Sequence, residues 1–326
     1  MTVAIRRAGE DDLPAVLSLA QAALGWRADD PNEAFFRWKH LDNPAGVSPM
    51  WVAEVGGRLA GFRTFLRWRF RRADGRVVKA VRAVDTATHP DFQGQGVFSR
   101  LTLGALDALR AEGVEFVFNT PNDQSRPGYL KMGWQIVGRV PISIRPRSAL
   151  AALRTARSRV PAEKWSIDTS AGIPAEEALA DDHSLDRLLA ADDARPGVRH
   201  DGMTTDRTPA HLRWRYRFEP LHYRAVVGHG GPAAGLAVFR LRRRGAATEA
   251  VVCELLAPDG AAQLVSQIAR ATEADYVIAA GRAPAGARLV PMPRQGPILT
   301  WRAVAEDAVP PTLEDWQLTM GDVELF

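Results

Sequence analysis

One stretch of the sequence, residues 81–101, constrains the fold more than any other. Its first part, residues 81–88, is rich in Val, Ala and Thr and predicts a buried strand that ends at Pro90. A Gln-Gly-Gln-Gly turn at residues 93–96 then leads into a helix, which apolar residues at helical spacing predict from position 97 onward. Such a turn exposes backbone N–H groups at the positive end of the helix dipole. The stretch therefore predicts either an ordinary strand-to-helix turn or a binding site for an anion such as phosphate.

The residues around this turn also match a wider pattern. Residues 89–97, His-Pro-Asp-Phe-Gln-Gly-Gln-Gly-Val, resemble the acyl-CoA pyrophosphate loop of the GNAT N-acetyltransferase superfamily, Gln/Arg-x-x-Gly-x-Gly/Ala. The sequence departs from that pattern at Phe98, where the family has a small residue, so the helix start is expected to approach the cofactor less closely. The resemblance implies acetyl-CoA as the cofactor. It also implies cofactor contacts from the following residues: Ala87, Thr88, His89, Gln93, Gly94, Gln95, Gly96, Val97, Phe98 and Ser99.

A second element of the same family follows the next predicted strand, residues 114–119. The family pattern is Asn-x-x-Ala/Ser followed by Tyr-x-x-x-Gly-Phe, and it resembles Asn122 and Ser125 followed by Tyr129, Gly133 and Trp134. By this resemblance Asn122, Ser125 and Tyr129 contact the cofactor, and Tyr129 lies near the sulfur of CoA. The intervening Arg-Pro-Gly sequence predicts a helix that is short or starts late.

The resemblance covers about residues 1–145 and implies an α/β fold, with a mixed, mostly antiparallel central sheet flanked by helices. The second half contains a faint copy. Phe-Arg-Trp-Lys at 36–39 is echoed by Leu-Arg-Trp-Arg at 212–215, and in both places a strand, a Gly-rich turn and another strand follow. We therefore expect tandem GNAT-like domains, one at residues 1–145 and one at 166–326, joined by a Pro- and Arg-containing linker at 146–165.

The second copy lacks the glycine turn. After its central strand the sequence reads Pro258-Asp259-Gly260-Ala261-Ala262, and no Asn…Tyr-x-x-x-Gly element follows. Fewer backbone N–H groups can converge on a pyrophosphate there. The sequence predicts a degenerate second domain and one cofactor site per chain.

The chemistry implied by the resemblance is direct transfer of an acyl group from CoA to an amine. It requires stabilisation of the tetrahedral intermediate and a proton for the departing thiolate. Tyr129 is the predicted acid, the alternative being a phenol that only orients the thioester. A backbone N–H of Ala87 or Thr88 is expected to hold the acetyl carbonyl, as in the family.

Asp85 is the predicted general base, because it is the only acidic side chain on the central strand. Strand alternation groups its side chain with those of Ala83, Ala87 and His89. The alternatives are a purely structural, hydrogen-bonding role for Asp85, His89 as the base, the terminal carboxylate of Phe326, and a water relay without a dedicated base.

Acceptor contacts are expected from the first two helices, in particular from Asp29, Glu33 and Trp38. The two carboxylates suit a cationic amine, and solvated helix caps are the alternative interpretation. The predicted acceptor is a small-molecule amine: an amino sugar, an antibiotic or metabolite amine, or an amino acid. Two further hypotheses stay open: a tandem acyltransferase using a longer acyl-CoA or aminoacyl-tRNA, and a non-catalytic acyl-CoA-binding module.

The amino-acid composition further narrows the classes of protein to which the chain could belong. A chain with 46% hydrophobic and 25% charged residues, without an apolar run of 18 residues or a signal-peptide core, is expected to be cytoplasmic and not membrane-bound. The single Cys253 excludes an internal disulfide, and the seven His residues show no ligand spacing, so no metal site is expected. The net charge of +4 is mild, and no nucleic-acid partner is expected. The Arg-rich residues 63–76 predict a hairpin with one solvated face, and the alternative is a nucleic-acid or anionic-acceptor patch. Oligomeric state stays open, a homodimer being one option.

Overall fold

The computed structural model describes residues 3–151, 160–194, 202–281 and 283–324, which form two compact units. The first unit comprises Met1–Gly138 and Ile298–Thr312, and the second comprises Arg139–Pro297 and Leu313–Phe326. The predicted first domain spans residues 1–145. The first unit of the structure ends at residue 138 and also includes residues 298–312. The predicted linker begins inside a strand, Ile142–Pro146, and its residues 152–159 lie outside the described part of the chain.

The helices and strands alternate along the chain as a mixed fold requires. The strands are β1 Ala4–Arg7, β2 Met50–Val55, β3 Arg58–Arg72, β4 Val77–Thr88, β5 Phe116–Asn119, β6 Gln135–Arg139, β7 Ile142–Pro146, β8 Ile173–Pro174, β9 Met203–Thr205, β10 Arg224–Gly228, β11 Gly231–Arg244, β12 Ala247–Leu256, β13 Tyr276–Ala280, β14 Val290–Pro291, β15 Ile298–Ala303 and β16 Trp316–Gln317. The helices of the first unit are α1 Leu13–Leu24, α2 Asn32–His40, α3 Val97–Gly104, α4 Leu106–Ala111 and α5 Arg126–Lys131. Those of the second unit span Ala175–Ala178, Asp182–Asp193, Pro209–Tyr216, Ala261–Ala271 and Met320–Val323. None of the helices described here is long and apolar enough to cross a membrane.

The sheet of the first unit runs in the order β1-β2-β3-β4-β5-β15-β6. Along this order the β4–β5 pair is parallel, whereas β1–β2, β2–β3, β3–β4 and β5–β15 are antiparallel. The fold class expected from the sequence is therefore confirmed. The long hairpin β3–β4 is the centre of the sheet, and it carries both the bulge and the turn that build the site.

Helices cover both faces of this sheet. One face packs on α1, where Val16 and Ala20 meet Phe62 and Ala87 of the central hairpin. The other face packs on α3 and α4 through a larger apolar cluster that contains Phe65, Val81, Ala83, Val97, Leu101 and Leu109. Each fully buried side chain of this size contributes about 1.5–3 kcal/mol, so the two clusters hold the hairpin rigidly between helices.

The predicted closing strand, residues 135–144, is in fact two strands. β6 belongs to the sheet of the first unit, whereas β7 pairs with β13 and β14 in the sheet of the second unit. Pro141 lies between them and has no N–H to donate to a ladder, which explains the interruption. Conversely, β15 follows the strands of the second unit in the chain but pairs with β5 in the first unit.

The second unit repeats the topology of the first. Its sheet runs β14-β7-β13-β12-β11-β10-β8, with a long antiparallel hairpin, β11–β12, and one parallel pair, β12–β13. The short strands β9 and β16 pair in parallel. The repeat extends to an irregularity: β12 contains a bulge at Cys253, between the pairs Phe239–Val252 and Val238–Glu254. β4 contains the equivalent bulge at Asp85, so the tandem interpretation is confirmed at the level of single residues.

Candidate active site

The Gln-Gly-Gln-Gly turn joins β4 to α3 through a short 3-10 turn at Pro90–Phe92. Gly94 and Gly96 both adopt left-handed backbone, with φ of 73° and 74°, and a side chain on either would meet no atom within 4 Å. Gly96 is the N-cap of α3, which has no side-chain cap. The first N–H groups of the helix therefore stay available to a ligand, and the open side of both glycines lets that ligand approach the backbone.

Beside this turn the pairing of the two central strands ends. The β4–β5 ladder runs only from Ala80–Phe116 to Arg82–Phe118, whereas β4 itself continues to Thr88. His89 donates its N–H to Ala60 on β3, and N–H directions alternate along a strand. The N–H of Thr88 consequently points away from β3, toward the side on which β5 no longer pairs with β4. Of the two predicted carbonyl donors, the geometry favours Thr88 over Ala87.

Asp85 is the extra residue of the β4 bulge and adopts a φ of 42°, which is rare for a residue with a side chain. The bulge reverses the alternation of side chains beyond it. Ala83 packs in the cluster under α3, whereas Ala87 packs in the cluster under α1. The predicted grouping of Asp85 with both alanines is therefore wrong, because a simple period of two does not survive an inserted residue.

The Asp85 carboxylate is buried, with 7% of the side chain exposed, and contacts two cationic or polar groups of α2. Lys39 Nζ lies 2.7 Å from Asp85 Oδ2, and His40 Nε2 lies 2.7 Å from the same oxygen. Burial would raise the pKa of Asp85, but the charge of Lys39 and the hydrogen bond from His40 outweigh it and hold that pKa well below its usual value. A carboxylate so strongly stabilised in its charged form is a weak proton acceptor. The environment argues against Asp85 as general base and favours the structural alternative.

His40 completes this network. Its Nδ1 lies 3.0 Å from the hydroxyl of Ser48, so both ring nitrogens have partners. Burial lowers the pKa of His40, against the opposing effect of Asp85, and the ring is neutral. In that state Nε2–H donates to Asp85 and Nδ1 accepts from Ser48.

Tyr129 lies on the short helix α5 and is buried, with 3% exposed. Its hydroxyl accepts a hydrogen bond from Arg63 Nη2 at 2.7 Å. Its ring packs edge-on against Phe98 at 5.3 Å between centroids. A Cβ on Gly128 would lie only 3.1 Å from the Phe98 ring, so the large residue at 98 fits because 128 is glycine. Phe98 thus turns inward to the core and does not occupy the loop.

The remaining predicted cofactor residues are placed as follows. The Asn122 side chain accepts from the backbone N–H and the hydroxyl of Ser125, at 2.8 and 2.9 Å, and these bonds form the turn that starts α5. The side-chain amides of Gln93 and Gln95 donate to backbone carbonyls at 88 and 91, which stiffens the loop. Val97 is buried in the core under α3, while Ser99 and His89 are half-buried.

The predicted acceptor residues do not converge. Asp29 is exposed and bonded to Arg27, and Glu33 is exposed and pairs with Arg37 one turn along α2. Trp38 is buried against Phe35, which argues against a direct contact with an acceptor. Phe326, whose terminal carboxylate is one alternative base, lies outside the described residues.

Sequence reasoning missed Arg63, Lys39 and His40. Arg63 is completely buried on β3, whereas Arg69 on the same strand is exposed. The run of Arg residues made this difference hard to recognise, although Gly61 and Phe65, which alternate with Arg63, indicate a buried face there.

Within the described residues no cluster of His, Cys, Asp and Glu could hold a metal ion.

Comparison with known proteins indicates the family. The model of the acetyltransferase (GNAT) domain family matches residues 4–137. The matched residues are less than half of the chain, and they resemble a GNAT acetyltransferase domain. The match supports an acyltransferase enzyme, and CoA thioesters are the cosubstrates of GNAT enzymes. A search of the curated proteins finds no match.

Solved structures resemble the whole chain in fold. A GCN5-related N-acetyltransferase from Anabaena variabilis aligns with a TM-score of 0.64 at 14% identity, over 93% of this chain and 73% of that one. A conserved protein from Enterococcus faecalis, described as a probable N-acyltransferase, gives 0.65 at 13% identity over 93% and 73%. A GCN5-related N-acetyltransferase from Kribbella flavida gives 0.61 at 16% identity over 93% and 72%. At these identities the likeness shows the fold alone.

Proposed function

We propose that this protein transfers an acetyl group from acetyl-CoA to the amine of a small molecule, by direct attack of the amine on the thioester. The observation that carries the proposal is the pair of left-handed glycines, Gly94 and Gly96, at the uncapped start of α3. They present backbone N–H groups to the diphosphate of CoA with no side chain in the way. Beside them, the end of β4 that β5 does not pair with is the proposed place of the pantetheine arm.

The residues around this place have distinct roles in this proposal. The N–H of Thr88 polarises the thioester carbonyl and stabilises the oxyanion that forms on attack. Tyr129 protonates the departing thiolate; its oxygen already accepts from Arg63, and in the described part of the chain its hydroxyl donates to no residue. The acceptor is an amino sugar, an antibiotic or metabolite amine, or an amino acid, and a water relay removes its proton.

Release of thiol from acetyl-CoA in the presence of a panel of these amines tests the activity. Gly96→Ala places a side chain on left-handed backbone and on the anion site, so we expect CoA binding to weaken by about 10-fold or more. Gly75→Ala is the matched control, since Gly75 has a φ of 82°, meets no atom within 4 Å and lies in the distant β3–β4 turn.

Calorimetric titration with CoA should give one site per chain. In the second unit Pro258 replaces the first glycine of the turn, although Gly260 keeps left-handed backbone at the helix start. Equal loss of CoA binding in the Gly75 and Gly96 variants, or two CoA molecules bound per chain, would contradict the proposed site. Tight CoA binding without thiol release from any amine would contradict the proposed activity.

A further inference from the structure

Arg63 is the feature of the first unit that the proposed reaction does not explain. Its side chain is completely buried, and Nη2 donates to the hydroxyl of Tyr129. Nε and Nη1 are buried and have no hydrogen-bond partner among the described residues. No carboxylate of the described chain pairs with the guanidinium, although other buried arginines, such as Arg240 and Arg242, pair with Glu324.

The surroundings of Arg63 are aromatic. The guanidinium lies 4.9 Å from the Phe65 ring centre, 5.6 Å from that of Phe98 and 5.2 Å from that of Tyr129. Cation–π contacts attract a cation, but they satisfy no N–H group and do not replace a counter-charge. Native structures rarely bury polar groups without partners, and those they do bury call for an explanation. The unpartnered Nε and Nη1 of Arg63 are therefore suited to donate hydrogen bonds to an anionic oxygen.

The position of Arg63 in the sheet indicates that the anionic oxygen belongs to the acyl donor. Arg63 pairs across the hairpin with Thr86, on the part of β4 that runs past the end of the β5 ladder. Phe98 follows the glycine turn directly, and Tyr129 is the group that protonates the sulfur in the proposed reaction. The free N–H groups thus lie on a side chain that bonds the proposed acid and is paired with the end of β4 beside which the thioester is proposed to bind. An acetyl methyl there would leave them unsatisfied, and a tetrahedral oxyanion exists only transiently, whereas Arg63 is buried at rest.

We propose that Arg63 binds a carboxylate at the far end of the acyl group, so that the preferred donor is a dicarboxylic acyl-CoA of the malonyl or succinyl class. This inference rests on the proposed acyl transfer from a CoA thioester to an amine, and it replaces acetyl-CoA as the preferred donor of that reaction. The terminal carboxylate accepts charge-assisted hydrogen bonds from Nε and Nη1, while Nη2 keeps its bond to Tyr129.

Calorimetric titration with matched thioesters tests the inference. Succinyl-CoA and butyryl-CoA carry four-carbon acyl groups that differ in one carboxylate, and malonyl-CoA and propionyl-CoA form the three-carbon pair. We expect wild-type protein to bind the better carboxylate-bearing thioester about 10-fold or more tightly than its neutral partner. In Arg63→Met this ratio should fall to one or below. Arg69→Met, on the exposed part of the same strand, should keep the wild-type ratio.

Two results would overturn the inference while leaving the proposed function intact: equal binding within both matched pairs by wild-type protein, or a preference that persists in Arg63→Met. The wild-type ratio decides the matter even if Arg63→Met does not fold. If wild-type protein fails to bind CoA at all, the proposed function and this inference fall together.

Discussion

Replacing Asp85 with Asn tests the buried ion-pair network most directly. Asn has nearly the same size and tolerates left-handed backbone, so the φ of 42° at this position is kept. The substitution removes one negative charge and leaves the buried ammonium of Lys39, 2.7 Å away, without it. Removing one partner of a buried ion pair costs about 3–5 kcal/mol. Because the amide oxygen can still accept a hydrogen bond, we expect the free energy of unfolding to fall by about 3 kcal/mol.

Urea denaturation at pH 7.5, followed by circular dichroism and tryptophan fluorescence, measures this loss. Two units can unfold separately, so the transition that shifts identifies the first unit. Asp107→Asn is the matched control, since Asp107 is exposed and pairs with Arg110 on the surface of α4. The double variant Asp85→Asn/Lys39→Met removes both charges and should recover part of the loss, and the cycle gives the coupling energy.

The pH dependence of stability has a definite sign. The pKa of Asp85 is held below its value in the unfolded chain, so this carboxylate stabilises the fold above about pH 3.9, and the contribution is lost as pH falls through the folded-state pKa. Wild-type protein should therefore lose more stability than Asp85→Asn on acidification from pH 5 to 3. Turnover of the folded variant should keep the wild-type profile between pH 6 and 9.

Three outcomes would refute this account of Asp85. A variant whose free energy of unfolding stays within about 0.5 kcal/mol of wild type would show that the ion pairs contribute little. Absence of any recovery in the double variant would show that Lys39 is not the group left uncompensated. If the variant lost the fall in rate at low pH that wild type shows as a general base becomes protonated, Asp85 would be that base.

Three further predictions concern the core, the second unit and the acid. Gly61→Ala should lower the free energy of unfolding by about 1–3 kcal/mol in urea, because its Cβ would lie 2.9 Å from both Ala87 O and Val97 Cγ1. Burial lowers the pKa of His211 to about 3, below its unfolded value, so wild type should lose stability as pH falls below about 6.5. That loss amounts to about 2 kcal/mol at pH 5, and His211→Gln should abolish it in denaturation measured at pH 7.5 and 5. Tyr129→Phe should slow thiol release by about 100-fold without weakening CoA binding, and an unchanged rate would remove it from catalysis.

Local sequence was sufficient for much of the fold. The glycine turn, the start of α3 and the late, short α5 all follow from residues within a few positions of each other, because left-handed backbone favours Gly and a helix tolerates Pro only in its first turn. The strand, Gly-rich turn and strand predicted after residues 212–215 are β10 and β11. The resemblance to the GNAT family, confirmed for residues 4–137, rests on these local patterns.

Long-range pairing lay beyond the sequence patterns. Residues 135–144 are predicted as one closing strand, yet β6 and β7 belong to different sheets. β15 joins β5 from a distant part of the chain, with Thr300 and Asn119 181 positions apart. An alternation of apolar and polar residues indicates that a strand has a buried face. It does not indicate which neighbouring strand it pairs with, because many strand edges offer equivalent backbone hydrogen bonds.

The sequence by itself determined the strand, the left-handed glycine turn and the helix that make up the proposed anion site, because those preferences are set by the backbone of each residue and its neighbours. Tertiary structure alone decided the chemistry around that site. The bulge at Asp85 turned its carboxylate toward Lys39 and His40, and the packing of Phe98 on Gly128 enclosed Arg63 beside Tyr129. Burial and counter-charge determine what an ionisable group can do, and both come from residues distant in the chain.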